Sequence, residues 1–204
     1  MPISVVILAA GQGKRMKSDL PKVLQPVAGC PRLMHGLDPV CVRSAGDILV
    51  VYGHGGERVR EALAAENVTW ASQAEQLGTG HAVQQAMPGV PDDHLVLILF
   101  GDVPLVQAAT MQRLVEAADG GEALGVLSVH MQDPTGYGRV VRDRAGTVAR
   151  IVEHKDANQK ERAIDEVNTG LMAASAKRMR EWLAQLRNDN AQGEYYLTDV
   201  VVLA

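Results

Sequence analysis

The sequence predicts an α/β fold with a mostly parallel sheet, and two observations carry the prediction. Three short runs, 3–8, 48–52 and 95–100, are apolar with no clear alternation, the pattern of strands buried on both faces. Stretches with helical apolar spacing lie between them, so strand and helix alternate through the first half and βαβ units follow. From Ala123 onward the texture changes to closely spaced strands and turns, which predicts a β-rich insertion over the sheet.

In order, the strand from Ile3 to Leu8 runs into Ala9, Ala10, Gly11 and Gly13, followed by Lys14, Arg15, Lys17 and, after Pro21, Lys22. Glycines let backbone N–H groups approach a ligand closely, and cations beside them favour phosphate. The same cations also fit a solvated basic surface. A dinucleotide fingerprint fails at Met16, and the spacing of a P-loop is absent. Leu33, Met34, Leu37, Val40 and Cys41 recur at helical spacing. The strand 48–52 is closed by Gly-His-Gly-Gly, and 57–65 suits a helix with Val59, Leu63 and Ala62 facing inward. A strand over 68–71 leads into a Gln-rich segment, where Thr79 is read as the N-cap of a helix through Met87. The most apolar strand, 95–100, ends at Gly101-Asp102, and 110–118 is helical. Strands follow at 124–131, 139–142, 148–154 and 171–174, with turns at 133–138 and 143–146. A helix over 177–186 turns Met179, Trp182, Leu183 and Leu186 inward.

A chain of 204 residues suits one large domain, and its balance of 47% apolar to 22% charged residues is that of a globular protein. Net charge of −4 gives no reason to expect nucleic acid or an anionic membrane as partner. No apolar run approaches the roughly 20 residues that span a bilayer, and the first strand, with no positively charged leader or cleavage site beside it, is not expected to be a signal peptide. Cys30 and Cys41 read as small buried or half-buried thiols in a reducing cytoplasm.

Ligands of open parallel sheets bind outside the carboxyl ends of the strands, and the loops 9–16, 72–80 and 101–104 follow predicted strands directly. Asp102 ends the most buried strand; it suits a Mg²⁺ ligand, or an Asp capping the next turn. Gln73 and Gly78 can offer an amide and a backbone N–H to a pyrimidine edge, or Gln73 is a solvated loop side chain. His35, His54, His81, His94, His130 and His154 show no zinc spacing and read as surface or packing residues, and Tyr195 and Tyr196 as core or pocket wall. No Ser, Cys or His forms a nucleophile arrangement.

Seven motifs in this order resemble the sugar-phosphate nucleotidyltransferases: L-A-A-G-x-G-x-R-M with L-P-K-V-L, then Q-A-E-Q-L-G-T-G-H-A, G-D-V-P, D-P-T-G-Y-G-R-V, E-H-K-D, V-N-T-G and Q-G-E-Y-Y-L-T-D. They cover essentially the whole chain and together are similar to the uridyltransferase domains of the bacterial bifunctional N-acetylglucosamine-1-phosphate uridyltransferase/glucosamine-1-phosphate acetyltransferases. The resemblance implies a Rossmann-like three-layer nucleotide-diphospho-sugar transferase fold over 1–204. It implies UTP and N-acetylglucosamine 1-phosphate as substrates, Mg²⁺ as cofactor and a cytoplasmic role in cell-wall and lipopolysaccharide precursor synthesis, with neither nucleic acid nor membrane as partner. It assigns Arg15 and Lys22 to catalysis and Asp102 to the metal. Nucleotide contacts fall to Leu8, Ala9, Ala10, Gly11, Lys22, Gln73, Gly78 and Thr79, with Phe100 and Gly101 beside the metal; the amino sugar falls to Gly138, Glu153 and Asn168.

The chain departs from the family pattern with Lys14 for Thr or Ser and Phe100 for Tyr. Relatives continue with further strands, an Asn that is a second metal ligand, and a left-handed β-helix acetyltransferase domain through which they are expected to form trimers. The chain is therefore expected to be incomplete at its C-terminal end. A nucleotidyltransferase for another base or sugar, and an inactive nucleotide-binding fragment, stand as the alternatives.

Overall fold

The computed structural model describes residues 1–11, 18, 20–35, 47–53 and 55–204. Strands β1 (Ile3–Leu8), β4 (Ile48–Tyr52), β5 (Thr69–Ser72) and β6 (Leu95–Phe100) lie parallel in the spatial order β5-β4-β1-β6. A two-stranded hairpin of β2 (Pro26–Val27) and β3 (Cys30–Pro31) stands apart from this sheet. The parallel order reverses direction at β1, so the crevice between the ends of β1 and β6, where Leu8 pairs with Phe100, is the topological switch point at which such sheets bind ligands.

Side chains of each strand alternate between two cores. Val5, Ile7, Val50, Leu97 and Leu99 pack on one face with Val59 of α1 (Glu57–Ala62), Leu63, and Met111 and Leu114 of α3 (Ala108–Ala117). Val6, Leu8, Val51, Val96 and Ile98 pack on the other with Ala82 and Val83 of α2 (Thr79–Ala86) and Met179, Trp182 and Leu183 of α5 (Ala176–Leu183). The result is three layers, helices on both faces of a sheet whose strands are apolar on both sides. Leu186 joins the second core, so the four inward residues expected near the end of the chain are all buried.

The β-rich segment does not lie over the sheet. Strands β7 (Gly125–His130), β8 (Arg139–Arg142) and β9 (Val148–Val152) continue it, because β10 (Glu166–Ser175) runs antiparallel beside β6 and pairs with both β7 and β8. The strand expected at 171–174 is thus the end of a ten-residue element. Its register shifts between Asn168 and Met172, a bulge in which Gly170 has φ of 88° and its N–H donates to Asn168 Oδ1. A short helix α4 (Gln159–Arg162) starts from an Asn158–Glu161 capping box, and α6 (Val200–Leu203) ends the chain.

Three smaller expectations are corrected. Helix α1 stops at Ala62, which is exposed while Val59 and Leu63 are buried. Thr79 is the first residue of α2 and Gly78 is its N-cap; the Thr79 hydroxyl accepts the N–H of Leu197. Cys30 is exposed in its hairpin, while Leu37, Val40, Cys41 and His54 lie outside the described residues. Among the described residues no helix is long and apolar enough to cross a membrane.

Candidate active site

The loops after β1, β5 and β6 enclose a cleft of about 800 Å³, a volume suited to a nucleotide-sized ligand. A second cavity, of about 210 Å³, lies under the β-rich half, and Thr79 and Phe100 line both. Gly170 keeps the Phe100 ring in that shared wall, since a Cβ there would stand 2.4 Å from its Cε2 atom.

Of the residues singled out in the sequence, Leu8, Ala10, Gly11, Lys22, Gln73, Gly78, Thr79, Phe100 and Asp102 line the larger cleft. Gly138, Glu153 and Asn168 line the smaller one. Ala9 and Gly101 do not reach either: Ala9 is buried in the core of the opposite face, and Gly101 packs close to Leu33 and Val23. Arg15 lies outside the described residues. Gln76, Glu194, Tyr137, Thr169, Gly170 and Thr198 are among the other wall residues and had not been singled out as ligand contacts. Glu194 and Thr198 belong to the motif at 192–199, whose position in the series of seven was their only signal.

The larger cleft has a cationic and an anionic side chain facing each other. Lys22, raised on the 3₁₀ turn Lys22–Leu24, donates to Asp102 Oδ2, and both side chains are partly exposed. Deeper in, Gln73 is almost fully buried, and its Nε2 donates to the Gly78 carbonyl at 3.0 Å and meets His81 Nδ1 at 3.1 Å. His81 is therefore beside the site, not a bystander of the surface. Among the described residues the Gly78 N–H and Gln73 Oε1 form no hydrogen bond, which leaves one donor and one acceptor on the wall.

Among the described residues Glu153 is the one acidic side chain in the wall of the smaller cavity. Burial pushes the Glu153 carboxyl above its ordinary range; the nearby Asp199, Asp156 and Glu194 push the same way, and the Thr198 hydroxyl, donating at 3.1 Å, pulls back. Asp199 is raised by burial and by Asp156. The strip 194–198 ties the two cavities together: Tyr195 N–H donates to Leu77, Gly80 N–H to Tyr195, Leu197 N–H to Thr79 Oγ1, and Thr198 to Glu153. Tyr196, buried, is pushed up to about 12 chiefly by that burial and braces the strip by donating to Asp156.

Among the described residues no three His, Cys, Asp or Glu side chains gather as a metal cage. Asp102 offers a single carboxylate at the ligand cleft, with no hydrogen bond to Oδ1 among the described residues. That donor set fits an ion such as Mg²⁺, which takes one or two carboxylates and completes its shell with waters and substrate phosphates.

Comparisons with known proteins bear on the family and the fold. The chain is 61% identical over 199 residues to the bifunctional protein GlmU of Cupriavidus pinatubonensis, covering 98% of this chain and 44% of that protein. It is 60% identical over 202 residues to GlmU of Azoarcus sp., covering 99% of this chain and 44% of the relative, so it spans less than half the length of these relatives. A crystal structure of a UDP-glucose pyrophosphorylase complexed with UDP-glucose superposes with a TM-score of 0.78 over 100% of this chain and 86% of that one, at 14% identity, which shows the shared fold. The MobA-like NTP transferase domain matches residues 5–197, and the chain belongs to that family of nucleotidyltransferases.

Proposed function

We propose that residues 1–204 act as one nucleotidyltransferase domain that transfers a uridylyl group from UTP to N-acetylglucosamine 1-phosphate, giving UDP-N-acetylglucosamine and pyrophosphate. The observation that carries this reading is the pair of cavities meeting at Thr79 and Phe100, one sized for a nucleotide and the other for a sugar. The base is argued from the wall: the Gly78 N–H can donate to uracil O4 while Gln73 Oε1 accepts from the ring N–H. Cytosine presents a donor and a ring lone pair at the same edge and is mismatched at both. The similarity to GlmU supports the same pair of substrates.

In this reading a phosphate oxygen of the sugar 1-phosphate attacks the α-phosphorus of UTP in line. The new P–O bond forms as the bond to the β-phosphate bridge breaks, and pyrophosphate leaves. The protein supplies position and charge, not a nucleophile. Lys22 moves from Asp102 to phosphate oxygens, and Arg15, by the family resemblance, stabilises the charge that develops at the reacting phosphate. Asp102 would hold the Mg²⁺, which when bound neutralises phosphate charge. Glu153 and Asn168 accept and donate hydrogen bonds to sugar hydroxyls and amide, with Gly138 allowing close approach. The product would serve cell-wall and lipopolysaccharide precursor synthesis in the cytoplasm.

The test is pyrophosphate release from UTP and N-acetylglucosamine 1-phosphate with Mg²⁺. Release with this pair, and far less with CTP or with glucose 1-phosphate, is expected. Equal or faster release with another base or sugar favours the other nucleotidyltransferases, and binding of UTP without release favours an inactive module.

A further inference from the structure

The orientation of one buried amide decides what the cleft asks of a base. A carbonyl oxygen can only accept, so the Gln73 atom 3.0 Å from the Gly78 oxygen is the amide nitrogen. Its second hydrogen is directed at His81 Nδ1, 3.1 Å away, which must then carry a lone pair. The imidazole proton consequently sits on Nε2; Gln85 Nε2 stands 3.1 Å from it, so this exposed amide must turn over to present its oxygen as the acceptor. With its NH₂ group committed twice, Gln73 has only Oε1 left for a ligand in the cleft it lines.

We propose that His81 is a positioning residue for base selection: by accepting from Gln73 Nε2 it locks the amide with Oε1 toward the nucleotide. The cleft then takes a base with a ring N–H and refuses one with a ring lone pair. This rests on the uridine-nucleotide reading above. His81 itself is not among the residues lining either cavity, so it acts through Gln73. Rotating the amide by half a turn would set Oε1 against both the Gly78 oxygen and the Nδ1 lone pair. It would turn NH₂ toward the ligand, the pattern that suits cytosine. Without an acceptor at position 81, only the Gly78 carbonyl opposes that rotation, and selection weakens.

The experiment is equilibrium binding of UTP and of CTP by calorimetry, without sugar phosphate, to the wild-type chain, His81→Leu and His81→Asn. Wild type is expected to prefer UTP, and His81→Leu to narrow the UTP-to-CTP ratio roughly five- to tenfold, about the effect of one hydrogen bond. His81→Asn, whose side-chain oxygen can accept where Nδ1 did, should recover most of the ratio. An unchanged ratio in His81→Leu overturns the proposal while leaving the uridine reading intact. Equal binding of UTP and CTP to wild type overturns that reading and this proposal with it. The imidazole tautomer gives a check that needs no variant: nitrogen–proton correlation spectra of wild type should place the proton on Nε2. A proton on Nδ1 overturns the proposal.

Discussion

Lys22 Nζ is ion-paired with Asp102 Oδ2, which joins the loop after β1 to the loop after β6 across the larger cleft. Each charge occupies the other. A phosphate chain competes for Lys22 and a divalent ion for Asp102, so arrival of either frees a partner for the other.

Asp102→Asn should therefore separate activity from stability. The two side chains are 36% and 25% exposed, and a pair so open to solvent contributes at most about 1 kcal/mol. Turnover should fall by on the order of 10²-fold, the size of a lost charge-stabilising group, with melting temperature nearly unchanged. Initial rates and thermal melts on the same preparation decide it, and parallel losses would point to a capping role.

Glu153→Gln should make the protein more stable and less active. The folded-state affinity of Glu153 for its proton is raised above the ordinary 4.5, so its contribution to stability is full below that pH and declines as pH rises through the folded value. The neutral amide escapes that decline and can still accept from Thr198. Melting temperature should exceed wild type at pH 8, with the gain vanishing in acid, while KM for the sugar phosphate rises. A variant less stable at pH 8 would contradict the account.

The site was only partly legible in the sequence, for reasons visible in single residues. Strands β1, β4 and β6 were found to the residue because burial on both faces leaves an unbroken apolar run. Strand β10 was read short because buried Glu166 and Asn168 interrupt its run: Glu166 is held by Arg142, 24 residues back, and Asn168 accepts the N–H of Gly170 within the bulge itself. Thr79 looked like a cap because its hydroxyl's true partner, Leu197, lies 118 residues on. The placement of the β-rich strands depends on pairing with β10, which alternation within each strand does not encode.

Two glycines of nearly equal φ should respond differently to alanine. Gly170 at +88° faces the Phe100 ring at 2.4 Å from a would-be Cβ, whereas Gly146 at +86° faces open space. Gly146→Ala carries backbone strain alone, about 1 kcal/mol, and Gly170→Ala adds overpacking for a total of roughly 3 kcal/mol. Only the second should also disturb binding at both cavities. Urea unfolding of the pair measures the difference, and equal losses would mean that Phe100 yields freely.

Glu166 should give the protein an acid-sensitive seam. Hydrogen bonds from Arg142 hold its carboxyl down to about 2, from an ordinary 4.5, aided by Ser128. A depressed value contributes stability above the unfolded pKa and loses it as pH falls from about 4.5 toward about 2. Arg142→Met should be less stable than wild type at neutral pH, with the gap closing in acid. Denaturant midpoints from neutral pH down to about 3 would show it, and a pH-independent gap would assign the loss to packing.

The strip 194–198 has a consequence for how two ligands find one protein. Its backbone and side chains bond to Leu77, Gly80 and Thr79 on one side and to Glu153 on the other, so neither wall can be ordered without engaging the strip. A ligand that shifts one end of the strip therefore shifts the wall that a ligand at the other end meets. On the proposed function the two affinities are then linked, and linkage is reciprocal: whatever factor a nucleotide adds to the affinity for a sugar phosphate, the sugar phosphate would return to the nucleotide.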